Sequence, residues 1–137
     1  MARGKIEIVR SAMDAMRRGD ARAMEGLAHA DYEFQTTSGL PNAGVYRGLE
    51  AVTSFSREFN DTWETFSIEQ EQVSDIEDTV VILGRVKARG KASGVALETP
   101  VAYVHTLREG KLARTQVFFD HADAIEAAGL ARRVQEY

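Results

Sequence analysis

Four long segments in the second half of the chain, separated by three short turn sequences, constrain the fold more than any other feature. The turns are "DIED" (Asp75–Asp78), "GKASG" (Gly90–Gly94) and "REGK" (Arg108–Lys111). Each is short enough to close a β-hairpin, so the four segments predict a meander of antiparallel strands that starts at Trp63. Such a sheet has a face to bury, and helices have to pack on it.

The beginning of the chain predicts the first of these helices. Ile6, Val9, Met13 and Met16 follow 3-4-3 spacing, which aligns them as one apolar stripe on a helix that ends at Gly19.

Three further elements are predicted before the meander. Asp20 can cap a second, short helix that carries Met24 and Leu27, and "DYEFQT" alternates apolar and polar residues as a strand does. After the loop "TSGLPNAG", Gly48 opens a third helix, which ends near Asp61 and aligns three apolar residues. These residues are Val52, Phe55 and Phe59.

Helices followed by an antiparallel meander predict an α+β fold, with the helices packed on one face of a curved sheet. The 137 residues fit one domain, residues 1–137. A last helix is expected over Ala122–Ala128, with Gly129 as its C-cap and residues 132–137 as a loosely held tail.

Composition excludes several classes of function. Seventeen basic against twenty-one acidic residues give a net charge of -4, which argues against nucleic acid and membrane surfaces as partners. The N-terminus has no apolar signal region and the chain has no cysteine, so we expect a cytoplasmic protein without disulfides or thiolate chemistry. The three histidines lack paired ligand spacing, and we expect no metal site.

Several stretches resemble the nuclear transport factor 2-like superfamily and, within it, the SnoaL-like proteins. They are "RRGDARAMEGLAHADYEF", "YRGLEAV" and "VAYVHTLREGKLARTQVFFDHADAIEAAGL". The resemblance implies a cone-shaped α+β roll of cystatin-like topology, whose curved, mostly antiparallel sheet wraps a cavity roofed by the N-terminal helices. It also implies a homodimer formed through the sheet, and an acidic residue near the end of the last strand as the acid or base of the pocket.

The resemblance leaves the activity open, because this fold carries many functions. Met13 and Met16 occupy the first-helix stripe where a ketosteroid isomerase would carry a tyrosine, and the one Arg-x-Asp sequence, starting at Arg18, lies in a turn where a limonene-type epoxide hydrolase would have it on a strand.

Alternation along the last two strands gives the candidate catalytic residues, Asp120 and His105. One face carries Tyr103, His105, Leu107, Leu112, Gln116, Phe118 and Asp120, which we assign to the concave side. There, an apolar setting would raise the pKa of Asp120 and suit it to acid–base chemistry, with His105 as its partner. Alternatively, Asp120 caps the last helix and His105 is a core histidine.

Six residues are candidates for ligand binding. Tyr103, Gln116 and Phe118 share the presumed concave face; Tyr46 and Trp63 fall where the cavity mouth of the family lies, or belong to the core. Arg85 belongs to a basic stripe with Lys87, Arg89 and Lys91, for which we expect cross-strand pairing with Glu64, Glu69 or Glu71; a buried Arg85 would need a carboxylate such as Glu98.

Two functions remain as hypotheses. The first is a SnoaL-like protein that binds a small apolar carbonyl compound and isomerises, cyclises or dehydrates it without a cofactor. In this hypothesis Asp120 removes a proton next to the carbonyl, and His105 or Tyr103 assists at the oxygen. The second is a non-catalytic, dimeric ligand-binding or accessory module.

Overall fold

The computed structural model describes residues 4–36 and 44–136, which form helices first and a meander second. In chain order the elements are α1 (Lys5–Arg18), α2 (Ala21–Glu25), β1 (Ala28–Thr36), β2 (Gly44–Arg47), α3 (Leu49–Thr62), β3 (Trp63–Ile76), β4 (Thr79–Gly90), β5 (Ala96–Arg108), β6 (Lys111–Phe118) and α4 (His121–Glu136). The three predicted hairpin turns are confirmed, while most of the predicted loop "TSGLPNAG" lies outside the described residues. None of these helices is long and apolar enough to cross a membrane.

The six strands form one curved sheet in the order β2-β1-β6-β5-β4-β3. Its pairs are antiparallel except for β1 and β6, which run parallel, so the predicted α+β fold with a mostly antiparallel sheet is confirmed. Strand β2 was not predicted. It pairs with β1 at the edge of the sheet, with Tyr46 opposite Phe34.

Helices α1, α2 and α3 cover the concave face. Helix α1 buries Ile8, Val9, Ala12 and Ala15 and ends at Gly19, whose φ of 66° is a left-handed conformation that glycine adopts readily. Asp20 caps α2 as predicted, because its carboxylate accepts the amide N–H of Ala23 at 3.0 Å. The core therefore lies between these helices and the inner face of β4, β5 and β6.

The pairing register of the sheet shifts at several places, and two of these shifts bear on the site. The register of β3 against β4 shifts between Gln70 and Gln72, which leaves Glu71 as an extra residue. Beside this bulge, a Cβ atom on Gly84 would lie 2.3 Å from the carbonyl oxygen of Glu69, so no larger residue fits without moving the strand. A second shift, between β5 and β6, leaves Ala113 as an extra residue.

Helix α4 packs on the outer face of the sheet. Its Ala124 is fully buried against Ala102 and Val104, with Leu83 and Phe118 at the margin. The predicted end at Gly129 is wrong, because α4 continues to Glu136. A glycine inside a helix costs about 1 kcal/mol relative to alanine, which is too little to end a helix by itself.

Candidate functional site

A cavity of about 440 Å³ lies between α1, α3 and the concave face of the sheet. Helix α1 contributes Met13 and Met16, and α3 contributes Ser56 and Asn60. Most of the remaining wall is aromatic or aliphatic. The aromatic residues are Phe34, Phe55, Phe59, Trp63, Phe66, Tyr103 and Phe119. The volume falls within the range of about 300–1,000 Å³ that small-molecule sites occupy.

Aromatic rings from three elements pack in a continuous row along one side of this cavity. Phe55 lies 5.4 Å from Phe34 and 5.8 Å from Phe59, and Phe59 lies 5.1 Å from Phe66 in an edge-to-face contact, all between ring centroids. Trp63 completes the row at 5.9 Å from Phe59. Its indole N–H is buried and has no hydrogen-bond acceptor among the described residues. The row fixes a rigid apolar wall, because each ring is held by its neighbours.

Tyr103, on β5, also lines the cavity and carries a hydroxyl. No side chain or backbone group of the described residues hydrogen-bonds that hydroxyl. Desolvation inside the cone raises the pKa of Tyr103 well above its ordinary value of 10, so the group stays protonated at neutral pH. It is therefore a hydrogen-bond donor that a ligand can use.

His105 lies next to Tyr103 but is fully buried. The two rings are stacked at 5.7 Å with an interplanar angle of 3°. Nδ1 of His105 is 2.8 Å from Oγ1 of Thr115, which also accepts the hydroxyl hydrogen of Tyr32 at 2.6 Å. Burial lowers the pKa of His105 from 6.5 to about 3, so the imidazole is neutral. Its Nε2 has no hydrogen-bond partner in the described part of the chain.

Charged groups of the cavity stand at its rim on α1. Arg10, Asp14 and Arg17 line the opening, and all three side chains reach solvent. Oδ1 of Asp14 accepts from Arg17 at 2.6 Å, and Oδ2 accepts from Arg18 at 3.0 Å. The hydrogen bond from Arg17 is the main cause that lowers the pKa of Asp14. The rim is thus permanently charged, whereas the interior is neutral.

The concave assignment of β6 was wrong for Gln116 and Phe118, whereas Leu112 is buried in the core. Tyr103 pairs with Val117 and His105 with Thr115, so Thr115 and Val117 lie on the inner face of the sheet, and Val117 lines the cavity. Gln116 and Phe118 lie on the outer face, where Gln116 pairs with Val104. The physical reason is the extra residue Ala113, which reverses the alternation between Leu112 and the rest of the strand.

The structure also places Asp120 away from the cavity, as an exposed residue at the start of α4. Its Oδ1 accepts the backbone N–H groups of Ala122 at 2.7 Å and Asp123 at 3.4 Å, which is the geometry of an N-cap. His121, the next residue, lies with Nε2 2.9 Å from the carbonyl oxygen of Gly84 and 3.1 Å from that of Val101. Because carbonyl oxygens only accept, His121 donates from Nε2.

Two other predicted ligand-binding residues do not line the cavity. Arg85 is on the outer face, half-exposed, with Nε 3.3 Å from Oε1 of Glu98; the basic stripe also pairs Lys87 with Glu69 at 3.6 Å. Tyr46 lies behind the aromatic row, with its ring centroid 4.5 Å from that of Phe55. Of the eight predicted site residues, Trp63 and Tyr103 face the cavity and His105 lies beside it.

Several lining residues were missed. Phe66, Ile68 and Gln70 alternate along β3 and all reach the cavity. Their period of two was a usable signal, but it does not say which face of the strand is concave. Arg10 carries no sequence signal beyond its position on the same helix as Met13. Within residues 4–36 and 44–136, no group of three potential ligand residues converges on a position for a metal ion.

Helices on a curved six-stranded sheet that encloses such a cavity define the nuclear transport factor 2-like fold. A family model for the SnoaL-like domain matches residues 9–115, and the chain belongs to this family. No curated protein matches the sequence.

Solved structures share the fold over most of the chain. A nuclear transport factor 2-like protein from Burkholderia thailandensis is 27% identical with a TM-score of 0.74, over 90% of this chain and 98% of its own. A nuclear transport factor 2-like protein from Burkholderia xenovorans is 23% identical with a TM-score of 0.77, over 88% and 94%. A hypothetical protein with a ketosteroid isomerase-like fold from Catenulispora acidiphila, in complex with trimethylamine, is 16% identical with a TM-score of 0.70, over 90% and 92%.

Proposed function

We propose that this protein binds a small, largely aromatic molecule in the cavity and performs no proton transfer on it. The observation that carries this proposal is the combination of an aromatic wall with an unpaired hydroxyl donor, that of Tyr103. Rings of the ligand pack against the row that contains Phe59 and Trp63. A carbonyl or hydroxyl oxygen of the ligand accepts from Tyr103, which fixes its orientation.

The ionisable groups around the cavity support binding over acid–base catalysis. A general acid or base works best when its pKa is near the working pH. The pKa of His105 is lowered to about 3 and that of Asp14 is also lowered, while that of Tyr103 is raised. Asp120 caps α4 on the other side of the sheet. None of these four groups combines a suitable pKa with a place on the cavity wall.

Benzophenone and diphenylmethane test the proposal, because the two molecules differ only in a carbonyl group between the same two rings. Trp63 is the single tryptophan of the chain and lines the cavity, so its emission reports binding there. We expect benzophenone to bind roughly five- to tenfold more tightly, which corresponds to one hydrogen bond of about 1 kcal/mol. Tyr103→Phe should remove this preference while diphenylmethane binds as before.

A matched pair of substitutions on α3 locates the binding. Ser56 lines the cavity and Ser54 is exposed on the same helix. Ser56→Phe should fill the cavity and abolish binding of benzophenone, whereas Ser54→Phe should leave it unchanged in calorimetry. Equal effects of the two substitutions, or no binding of either compound by the unmodified protein, would show that the cavity is not the site.

Proton transfer remains the alternative to exclude by experiment. Acetophenone deuterated at its methyl group exchanges deuterium for hydrogen from water when a base removes the deuterons next to the carbonyl. We expect the protein to leave this exchange at its uncatalysed rate, as followed by proton NMR. Acceleration that Asp120→Asn abolishes would overturn the binding proposal and restore the catalytic one.

Three sequence-based expectations stay predictions: one domain over residues 1–137, a cytoplasmic location and a homodimer. The dimer was implied by the family resemblance and would form through the sheet, and α4 packs on part of the outer face of that sheet through Ala124. Light scattering on the purified protein would measure the mass of the particle directly.

A further inference from the structure

The rim of the cavity carries a guanidinium group, that of Arg10, which has no counter-charge within hydrogen-bonding distance in the described part of the chain. Both carboxylate oxygens of Asp14 are occupied, one by Arg17 and one by Arg18. Arg10 stands one turn before Asp14 on α1, where an i,i+4 ion pair is possible, yet it has no ion pair or hydrogen bond with any described residue. Asp14 is thus engaged by Arg17 and Arg18, and Arg10 lines the opening without an ion-pair partner among the described residues.

We infer that the ligand is an aromatic acid, whose rings fill the cavity and whose carboxylate lies at the rim against Arg10. This inference rests on the binding function proposed above and names the class of ligand. A guanidinium group can donate two parallel hydrogen bonds to a carboxylate. This geometry suits a bound ligand whose carboxylate projects from the mouth of the cavity. Two guanidinium groups, those of Arg10 and Arg17, line the opening against the one carboxylate of Asp14.

The charge of the rim differs in sign from that of the whole chain. The net charge of the protein is -4, so general electrostatic attraction would favour cationic molecules. At the opening, however, the excess of guanidinium groups disfavours a cation in spite of the aromatic wall that could hold one. Binding of an acid is thus favoured by two local features. Asp14 is paired with Arg17 and Arg18, and Arg10 lies at the opening, where it can contact a carboxylate.

Three forms of one molecule separate charge from ring packing: para-benzoylbenzoate, its methyl ester and benzophenone. We expect the acid to bind roughly three- to fivefold more tightly than the ester, as for an exposed ion pair. Added salt should reduce this advantage and leave the binding of benzophenone unchanged. Arg10→Gln should abolish the advantage, and Arg22→Gln, at an exposed position on α2 away from the cavity, should retain it.

Removing a negative charge from the rim tests the same inference in the opposite direction. Asp14→Asn removes the negative charge of the rim and releases Arg17 and Arg18 from their carboxylate. We expect the affinity for para-benzoylbenzoate to increase relative to that for benzophenone, which carries no charge. A decrease for the acid would contradict the proposed role of the rim.

The outcomes separate this inference from the function on which it rests. If benzophenone binds in the cavity but the acid gains nothing, the binding function holds and the inference of an acid is wrong. If none of the three compounds binds, the binding function itself fails. If the acid is favoured equally in Arg10→Gln, the carboxylate lies elsewhere and the inference is also wrong.

Discussion

The two sides of the β5–β6 hairpin differ in their polar groups: those on the inner side are buried and neutral, whereas the carboxylate on the outer side is exposed. On the inner face, Tyr32, His105 and Thr115 are fully buried, neutral and bonded to one another. On the outer side, the carboxylate of Asp120 is exposed and bonded to the amide groups of α4. His105, Thr115 and Asp120 follow one another along β5, β6 and the start of α4, but His105 and Thr115 face the inner side of the sheet and Asp120 caps a helix on the outer side.

The difference shows how the cavity can contain polar groups without containing charge. A buried hydroxyl or imidazole costs little when its partners are neutral and close, whereas an isolated carboxylate loses its hydration and is not compensated. The inner face thus keeps a neutral network beside the aromatic wall, and the charged residues stay at the rim and the outer side. Substitutions on either side of the sheet test this separation of neutral and charged groups.

Breaking the centre of the inner network should have the largest effect. Thr115→Val preserves shape but leaves the hydroxyl of Tyr32 and Nδ1 of His105 without their shared partner. Each buried unsatisfied group costs about 1–3 kcal/mol, so we expect a loss of about 3 kcal/mol in the free energy of unfolding. Denaturant titration measures it, with Thr106→Val on the outer face of β5 as the control. Equal losses in both variants would mean that the network does not stabilise the inner face.

Lowering the pH should destabilise the folded protein through His105, by somewhat less than Thr115→Val does. The unfolded chain takes up a proton on this residue near pH 6.5, but the folded protein does so only near 3. Stability that is fully present above pH 6.5 is therefore lost as the pH falls towards 3, by at most about 1.4 kcal/mol per pH unit. Between pH 6.5 and about 4.5 we expect a loss of about 2 kcal/mol from this residue alone.

The comparison with His105→Phe isolates this contribution, because carboxylates elsewhere titrate in both proteins. The phenyl ring retains the stack on Tyr103 and cannot be protonated. The difference in unfolding free energy between the two proteins should change with pH over this window. His29→Gln, which alters a histidine at the surface, should follow the unmodified protein. Parallel pH profiles for all three proteins would argue against a buried, neutral His105.

Much of the fold could be predicted because its signals are local. The stripe of α1 and its end at Gly19, the cap at Asp20 and the three hairpin turns each depend on residues within a few positions of one another. Strand β2 was missed because it has four residues and exists through its pairing with β1. The continuation of α4 past Gly129 was missed because one glycine is a weak signal in an alanine-rich helix.

The site was predicted less well because it depends on register. Tyr103 and Trp63 were placed at the cavity, but Gln116, Phe118 and Asp120 were not where alternation put them. One extra residue, Ala113, reverses the face of β6, and nothing in its sequence marks a bulge. Two roles were predicted for Asp120, the acid or base of the pocket and the cap of the last helix, and its observed hydrogen bonds are those of the cap.

Removing the cap tests the outer side. Asp120→Ala leaves the amide groups of Ala122 and Asp123 without a side-chain acceptor. We expect a loss of about 1 kcal/mol in the free energy of unfolding and no change in affinity for benzophenone. Asp120→Asn, which can still accept these hydrogen bonds, should lose less. An altered ligand affinity with unaltered stability would connect Asp120 to the cavity and undo the separation of the two faces.

The smallest effect is expected for the ion pair on the outer face. Arg85 and Glu98 are both partly exposed, so water and salt weaken their attraction, and holding the two side chains together costs entropy. Arg85→Ala should change the free energy of unfolding by about 0.5 kcal/mol or less, and the double variant with Glu98→Ala should show a coupling energy of similar size. Binding of benzophenone should not change, because the cavity wall at this level is formed by Val86 on the opposite face of β4. A loss of affinity in Arg85→Ala would mean that the charge acts through the sheet, and the outer face would then belong to the site.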